Sequence, residues 1–165
     1  MDAIPPFCNF GWPAIDATLP SVDGQKRSIF GCAGPNGLVV AFICNHCPYV
    51  KAVISRIVRD AADLRTHGVG FAAICANDDE IFPTDSFDNM KIFAQVHGFG
   101  FPYLHDETQA VARAYEAVCT PDFFGFNSDF ELQYRGRLDA SREERGPENL
   151  RRDLYEAMVQ IAETG

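Results

Sequence analysis

The sequence predicts an α/β chain: a three-layer sandwich of helices on a mixed central sheet, with a β-hairpin at the N-terminal side. Three observations carry this. Leu38 to Ile43 is a continuous apolar run, as a strand covered on both faces requires. From Val50 the spacing changes: Val50, Val53, Ile54, Ile57, Val58, Ala61 and Leu64 fall on one helical face, and Lys51, Ser55, Arg56, Arg59, Asp60 and Asp63 on the other. Gly68 then opens a second buried run, Val69 to Cys75. Strand, helix and strand make a βαβ unit, a parallel pair joined by a right-handed crossover.

The remaining elements follow in order. Trp12 to Phe30 alternates weakly, broken by Pro20 and by Asp23-Gly24, a hairpin turn signal. Gly34-Pro35-Asn36-Gly37 is a turn before the first buried strand. The long helix stops near His67-Gly68. Asn77-Asp78-Asp79-Glu80 is a polar loop, after which Thr84 or Asp85 caps a helix reaching about His97, with Gly98 as its stop. Pro102 to Leu104 is a short strand, and Asp106 caps a helix over Glu107 to Glu116. Val118 to Phe126 is a strand with a proline near its start. Asn127-Ser128-Asp129 turns it into a returning strand, Phe130 to Leu138, antiparallel to the last. Pro147 to Glu163 closes the chain as a helix burying Leu150, Leu154, Met158 and Ile161, with Pro147 suited to the first turn.

Length and composition bound the function. At 165 residues, 47% hydrophobic and 22% charged, the chain is the size of one domain with a substantial core, and residues 1–165 are read as that domain. A formal charge of −9 argues against nucleic acid or an anionic membrane as partner. The basic residues from Arg135 to Arg152 are interleaved with acids, a mixed-charge face rather than a basic patch. No stretch approaches the roughly 18 apolar residues of a membrane span. MDAIPPFCNF has neither a basic n-region nor an apolar h-region, so cytoplasmic residence is expected. For six cysteines in such a chain, reduced thiols with one special pair is the better reading.

That pair is Cys44-Asn45-His46-Cys47, where the buried strand gives way to the helix. A helix N-terminus presents free N–H groups and a positive dipole end, which favour a thiolate. An exposed Cys44 is therefore expected to have a pKa below about 8.5. Cys44 can attack a disulfide and Cys47 can resolve the mixed disulfide. Asn45 and His46 tune the pair, and a protonated His46 would stabilise its reduced form. Pro48 is tolerated in a first turn and stiffens the entry. Two other readings stand beside this one: core cysteines that happen to be close, and half of a metal site. A structural zinc usually takes four ligands, and the chain has no second CxxC and no HxxxH. No cofactor and no resident metal are predicted.

FICNHCPYVKA, VCTPDFFGF and YRGRLDAS, in that order, resemble the thioredoxin-like superfamily, and within it the peroxiredoxin-like (AhpC/TSA-type redoxin) branch that carries a CxxC. The resemblance runs from about Trp12 to the final helix. It implies a thioredoxin-like three-layer sandwich and a thiol–disulfide oxidoreductase, with Cys44 as nucleophile and Cys47 as resolving thiol. It implies a cis Thr120-Pro121 bond facing the pair, the Thr120 backbone pairing with a substrate chain and Pro121 shaping the groove. Protein disulfides or small thiol–disulfide compounds are the implied partners, with hydroperoxides as an alternative substrate and a separate electron donor.

The sequence also departs from the pattern. Ile43 stands where thioredoxins carry tryptophan, and the dipeptide is Asn-His rather than Gly-Pro. The Pro-x-x-x-Thr/Ser-x-x-Cys signature of peroxidatic sites does not fit either cysteine, although Arg135 or Arg137 could supply the arginine such a site uses. The alternative of a copper or other metal carrier would bind through the CxxC with His97 or His105 folded over it. Asp78, Asp79 or Glu80 is the candidate proton acceptor for the resolving thiol. Cys75 and Cys119 read as core residues, and Cys8 and Cys32 as incidental.

Overall fold

The computed structural model describes residues 10–77, 80–117, 120–139 and 152–165. Its centre is strand β3, Gly37–Phe42, every residue of which is buried. Helix α1, Pro48–Arg65, crosses from β3 to the parallel strand β4, Val69–Cys75. Strand β5, Tyr103–His105, continues the parallel side. On the other side β6, Asp122–Phe126, pairs antiparallel with β3, and β7, Leu132–Gly136, pairs antiparallel with β6. The order β5-β4-β3-β6-β7 is the mixed sheet the sequence predicts. Strands β1, Thr18–Pro20, and β2, Lys26–Ser28, form the separate N-terminal hairpin.

Alternation along β3 builds the layers. Val39 and Ala41 meet the apolar stripe of α1, together with α2, Phe87–Val96, and α4, Asp153–Thr164. Leu38, Val40 and Phe42 face the opposite layer, where α3, Ala110–Ala114, contributes Val111 and Tyr115 follows it. Val50, Val53, Ile54, Ile57, Ala61 and Leu64 of the α1 stripe are inside and Val58 is half-buried, whereas Asp60, expected on the polar face, is wholly buried because Arg152 packs over it and donates to its carboxylate. The chain leaves α1 through Gly68 at φ +76°, a conformation that disfavours any Cβ, and the Asn36 side chain donates to the His67 carbonyl there at 3.0 Å.

Several boundaries differ from expectation for local reasons. Ser86, not Thr84 or Asp85, caps α2: its hydroxyl accepts from the Asn89 amide at 3.2 Å. Helix α3 is shorter than Glu107 to Glu116. The Asp106 amide is held on the sheet by the Cys75 carbonyl, and Gln109 adopts a left-handed φ of 66°, so helix begins only at Ala110. Strand β7 starts at Leu132 because the Asn127 side chain accepts from both the Asp129 and Glu131 amides, and Phe130 takes φ 60° to stack on Phe30. Leu154, Met158 and Ile161 form the buried face of α4, whereas Pro147 and Leu150 lie outside the described residues, as do Cys8, Asp78, Asp79, Val118 and Cys119. Among the described residues no helix is long and apolar enough to cross a membrane.

Candidate active site

The carboxyl end of β3 delivers the pair. The Ile43 amide makes one last ladder bond, to the Ile74 carbonyl at 2.9 Å, and the chain then bends through Asn45 and His46. Helix α1 begins at Pro48, a position where a missing N–H costs nothing, and Cys47 is its N-cap residue. Cys44 therefore sits before the helix rather than in its first turn.

The bend is tied down by a carboxylate from the turn before α2. Asp85 is wholly buried. Its Oδ1 accepts from the Asn45 amide at 2.6 Å and the His46 amide at 3.2 Å. Its Oδ2 accepts from the Asn77 side chain at 2.9 Å and is hydrogen-bonded to His46 Nδ1. The Asn45 side chain points inward: its amide donates to the Thr84 carbonyl at 3.0 Å, and its oxygen accepts from the Tyr103 hydroxyl at 2.8 Å. The His46 ring, half-buried, stacks on Phe82 with centroids 4.5 Å apart. Cys44 Sγ, a ring nitrogen of His46 and a carboxylate oxygen of Asp85 all lie within 4.8 Å of one another.

The strand-entry segment before β6 faces the pair from the other side. The Thr120-Pro121 bond is cis. Thr120 Oγ1 is 3.5 Å from Cys44 Sγ, and Cys47 Sγ donates to the Thr120 carbonyl at 3.6 Å. Both thiols are free. Residues 76 and 73 positions apart thus meet at one point, at the carboxyl end of the central strand.

The expectation of an exposed, acidic Cys44 is overturned. Cys44 is 1% exposed. Burial pushes its thiol up to about 12; the Thr120 hydroxyl pulls the other way, the charges of Cys47 and Asp85 add to the rise, and the Cys47 backbone N–H offsets part of it. The physical reason is the bend: with the helix starting at Pro48, desolvation outweighs the few donors that reach the sulfur.

The other candidates are placed as follows. Arg135 is committed elsewhere: it pairs with Asp122 at 2.8 Å, donates to the Glu116 carbonyl at 2.9 Å and lies over the Phe124 ring. Arg137 pairs with Asp153 at 2.8 Å at the start of α4, and its side chain is 51% exposed. His97 ends α2 against Phe93, and His105 is buried on β5 beside Phe87. The histidine brought to the pair is His46. Cys75 is a core residue whose burial pushes its thiol up to about 11, and Cys32 donates to the Ser28 carbonyl at 3.4 Å. Glu80 is exposed, and the carboxylate at the site is Asp85, which sequence reasoning treated as a helix cap. The signal was there: Thr84-Asp85-Ser86 holds three cap-competent residues in a row, and a helix uses one.

Comparison with known proteins agrees with this architecture. Residues 10–140 match the AhpC/TSA family. No curated protein matches the chain. Among solved structures, an uncharacterized conserved protein from Geobacillus kaustophilus is 42% identical, with a TM-score of 0.85 over 93% of this chain and 84% of that one. A hypothetical protein from Sinorhizobium meliloti 1021 is 34% identical, with a TM-score of 0.85 over 92% and 85% of the two chains. The thioredoxin domain of a thiol-disulfide oxidoreductase from Bacteroides vulgatus is only 13% identical, yet superposes with a TM-score of 0.70 over 93% of this chain and 97% of its own. The fold is thioredoxin-like.

Proposed function

The chain belongs to the AhpC/TSA family, and from that premise we propose that it is a thiol–disulfide oxidoreductase whose redox centre is Cys44 and Cys47. The observation that carries the reading is the convergence of both thiols on Thr120, beside a cis proline, at the carboxyl end of the central strand.

Cys44 is the attacking sulfur. The Thr120 hydroxyl and the Cys47 backbone N–H, the two donors that favour its thiolate, both serve Cys44. The thiolate attacks a partner disulfide, forming a Cys44 mixed disulfide and releasing one partner thiol. Cys47 then attacks Cys44 Sγ, closing the Cys44–Cys47 disulfide and releasing the second thiol; two electrons pass to the partner. Cys44 has almost no solvent contact, so the partner's sulfur reaches it only when the site opens locally. Thr120 and Pro121 line the groove for a partner chain, Asn45 fixes the bend and His46 tunes the thiols. Partners are disulfides of proteins or of small thiol compounds. Dithiol exchange is favoured over peroxide reduction because Arg135 and Arg137 are paired with Asp122 and Asp153.

A redox titration tests this. The protein is equilibrated in dithiothreitol or glutathione buffers of graded potential, free thiols are trapped with a maleimide, and the modified peptides are mapped. The expected result is one reversible two-electron transition confined to Cys44 and Cys47, abolished in Cys44→Ser and Cys47→Ser, with Cys47→Ser accumulating a mixed disulfide on Cys44. A pair that never oxidises would overturn the reading.

A further inference from the structure

A thiol as buried as Cys44 must lose a proton before its sulfur can form a bond, and nothing in the expected chemistry of the pair says where that proton goes. The structure offers one arrangement. His46 lies between the two cysteines in sequence, hydrogen-bonded through Nδ1 to Asp85 and stacked on Phe82. Its ring, the Asp85 carboxylate and Cys44 Sγ fall within 4.8 Å of one another. We propose that His46 is the proton acceptor for Cys44, and that Asp85 is the positioning residue that fixes the imidazole; this rests on the dithiol reading above.

The tautomer follows from the hydrogen bond. With a carboxylate on Nδ1, the neutral ring carries its proton there and keeps the lone pair on Nε2. A ring nitrogen of His46 lies within 4.8 Å of Cys44 Sγ, longer than a hydrogen bond, and such contacts tighten when a partner binds. Nucleophile, base and a third group that orients the base recur wherever a weak nucleophile must be activated in place. Here the bend between the cysteines supplies the base, and a distant turn supplies the orienter.

The step balances. The Cys44 S–H proton passes to the imidazole, and the electron pair left on Sγ forms the bond to the partner's sulfur. The partner's S–S bond breaks, and the departing thiolate takes the proton back from the imidazolium. The same three residues have the ligand types of a metal centre. However, each Asp85 oxygen already has two donors, the Asn45 and His46 amides on Oδ1 and the Asn77 side chain and His46 ring on Oδ2, so the carboxylate is filled. Among the described residues, the ionisable groups that act on Cys44 besides His46 are Cys47 at the start of α1, Asp85 before α2 and Tyr103 on β5.

The test is the rate at which the reduced full-length chain reacts with oxidised glutathione, followed from mildly acidic to alkaline pH. His46→Phe keeps a ring to stack on Phe82 and removes both nitrogens. Its rate at neutral pH should fall roughly a hundredfold or more, with the loss shrinking as pH rises and hydroxide replaces the base. Free imidazole should restore part of the rate to His46→Ala. Asp85→Asn should fall between wild type and His46→Phe; since Asp85 also holds the bend, His46→Phe decides the matter if Asp85→Asn does not fold. A His46→Phe profile that coincides with wild type, or lies below it by one factor at every pH without imidazole rescue, overturns the proton role. If wild-type Cys44 and Cys47 themselves fail to oxidise in the redox titration, the oxidoreductase reading falls first and takes this one with it.

Discussion

At Cys44 burial and hydrogen bonding oppose each other, and burial wins: the thiol is pushed up to about 12 although the Thr120 hydroxyl lies 3.5 Å away. Thr120→Val keeps the shape of that side chain and removes the hydroxyl. Since the hydroxyl lowers the pKa, its loss raises it further. Alkylation of Cys44 by iodoacetamide at fixed pH, followed by peptide mass spectrometry, should slow roughly threefold to tenfold, the worth of one hydrogen bond. An unchanged rate would mean that Thr120 acts through its backbone alone. Cys44 and Cys47 were legible because a CxxC is a local pattern, and Thr120 and Pro121 came from the resemblance to thioredoxin-like proteins. Sequence reading missed Asp85, whose role depends on a fold-back of 40 residues onto the Asn45 amide.

Among the elements, α1 was legible in its extent because its apolar stripe and its Gly68 stop are both written in the chain, but not the burial of Asp60, which depends on Arg152 from before α4. Helix α2 was legible in extent but not in its cap. Ser86 accepts from the Asn89 amide, so Ser86→Ala should cost about 1 kcal/mol in urea unfolding, whereas Thr84→Ala should cost little. Equal losses from the two would reassign the cap. Helix α3 was overestimated because the left-handed Gln109 and the sheet bond of Asp106 are set by packing on β4, a choice that helix propensity does not encode.

Across the whole molecule, a sheet buried on both faces holds several ionisable groups away from water. Burial raises Cys44 to about 12 and Cys75 to about 11, and raises Tyr103 as well. Above the ordinary thiol value of 9.0 the unfolded chain releases protons that the folded chain retains. Stability is therefore complete below that pH and falls as pH rises toward 11 and 12, by up to about 1.4 kcal/mol per pH unit for each thiol. Urea midpoints measured across this window should decline, and Cys44→Ala should decline less steeply. A flat profile would mean that these thiols meet water in the folded state. Tertiary ties of another kind join α1 to the residue preceding α4, where Arg152 donates to Asp60 at 2.9 Å and to Asp63 at 2.8 Å.

The sequence by itself determined the strand–helix–strand unit, the mixed sheet with its antiparallel return, and the placement of two thiols at the end of a buried strand. Apolar period and turn chemistry are short-range signals, so one chain suffices to read them. Only the tertiary structure decided that Cys44 is buried and that Asp85 and His46 stand beside it. Desolvation and hydrogen bonding depend on which distant segments close over a side chain, and no local spacing records that.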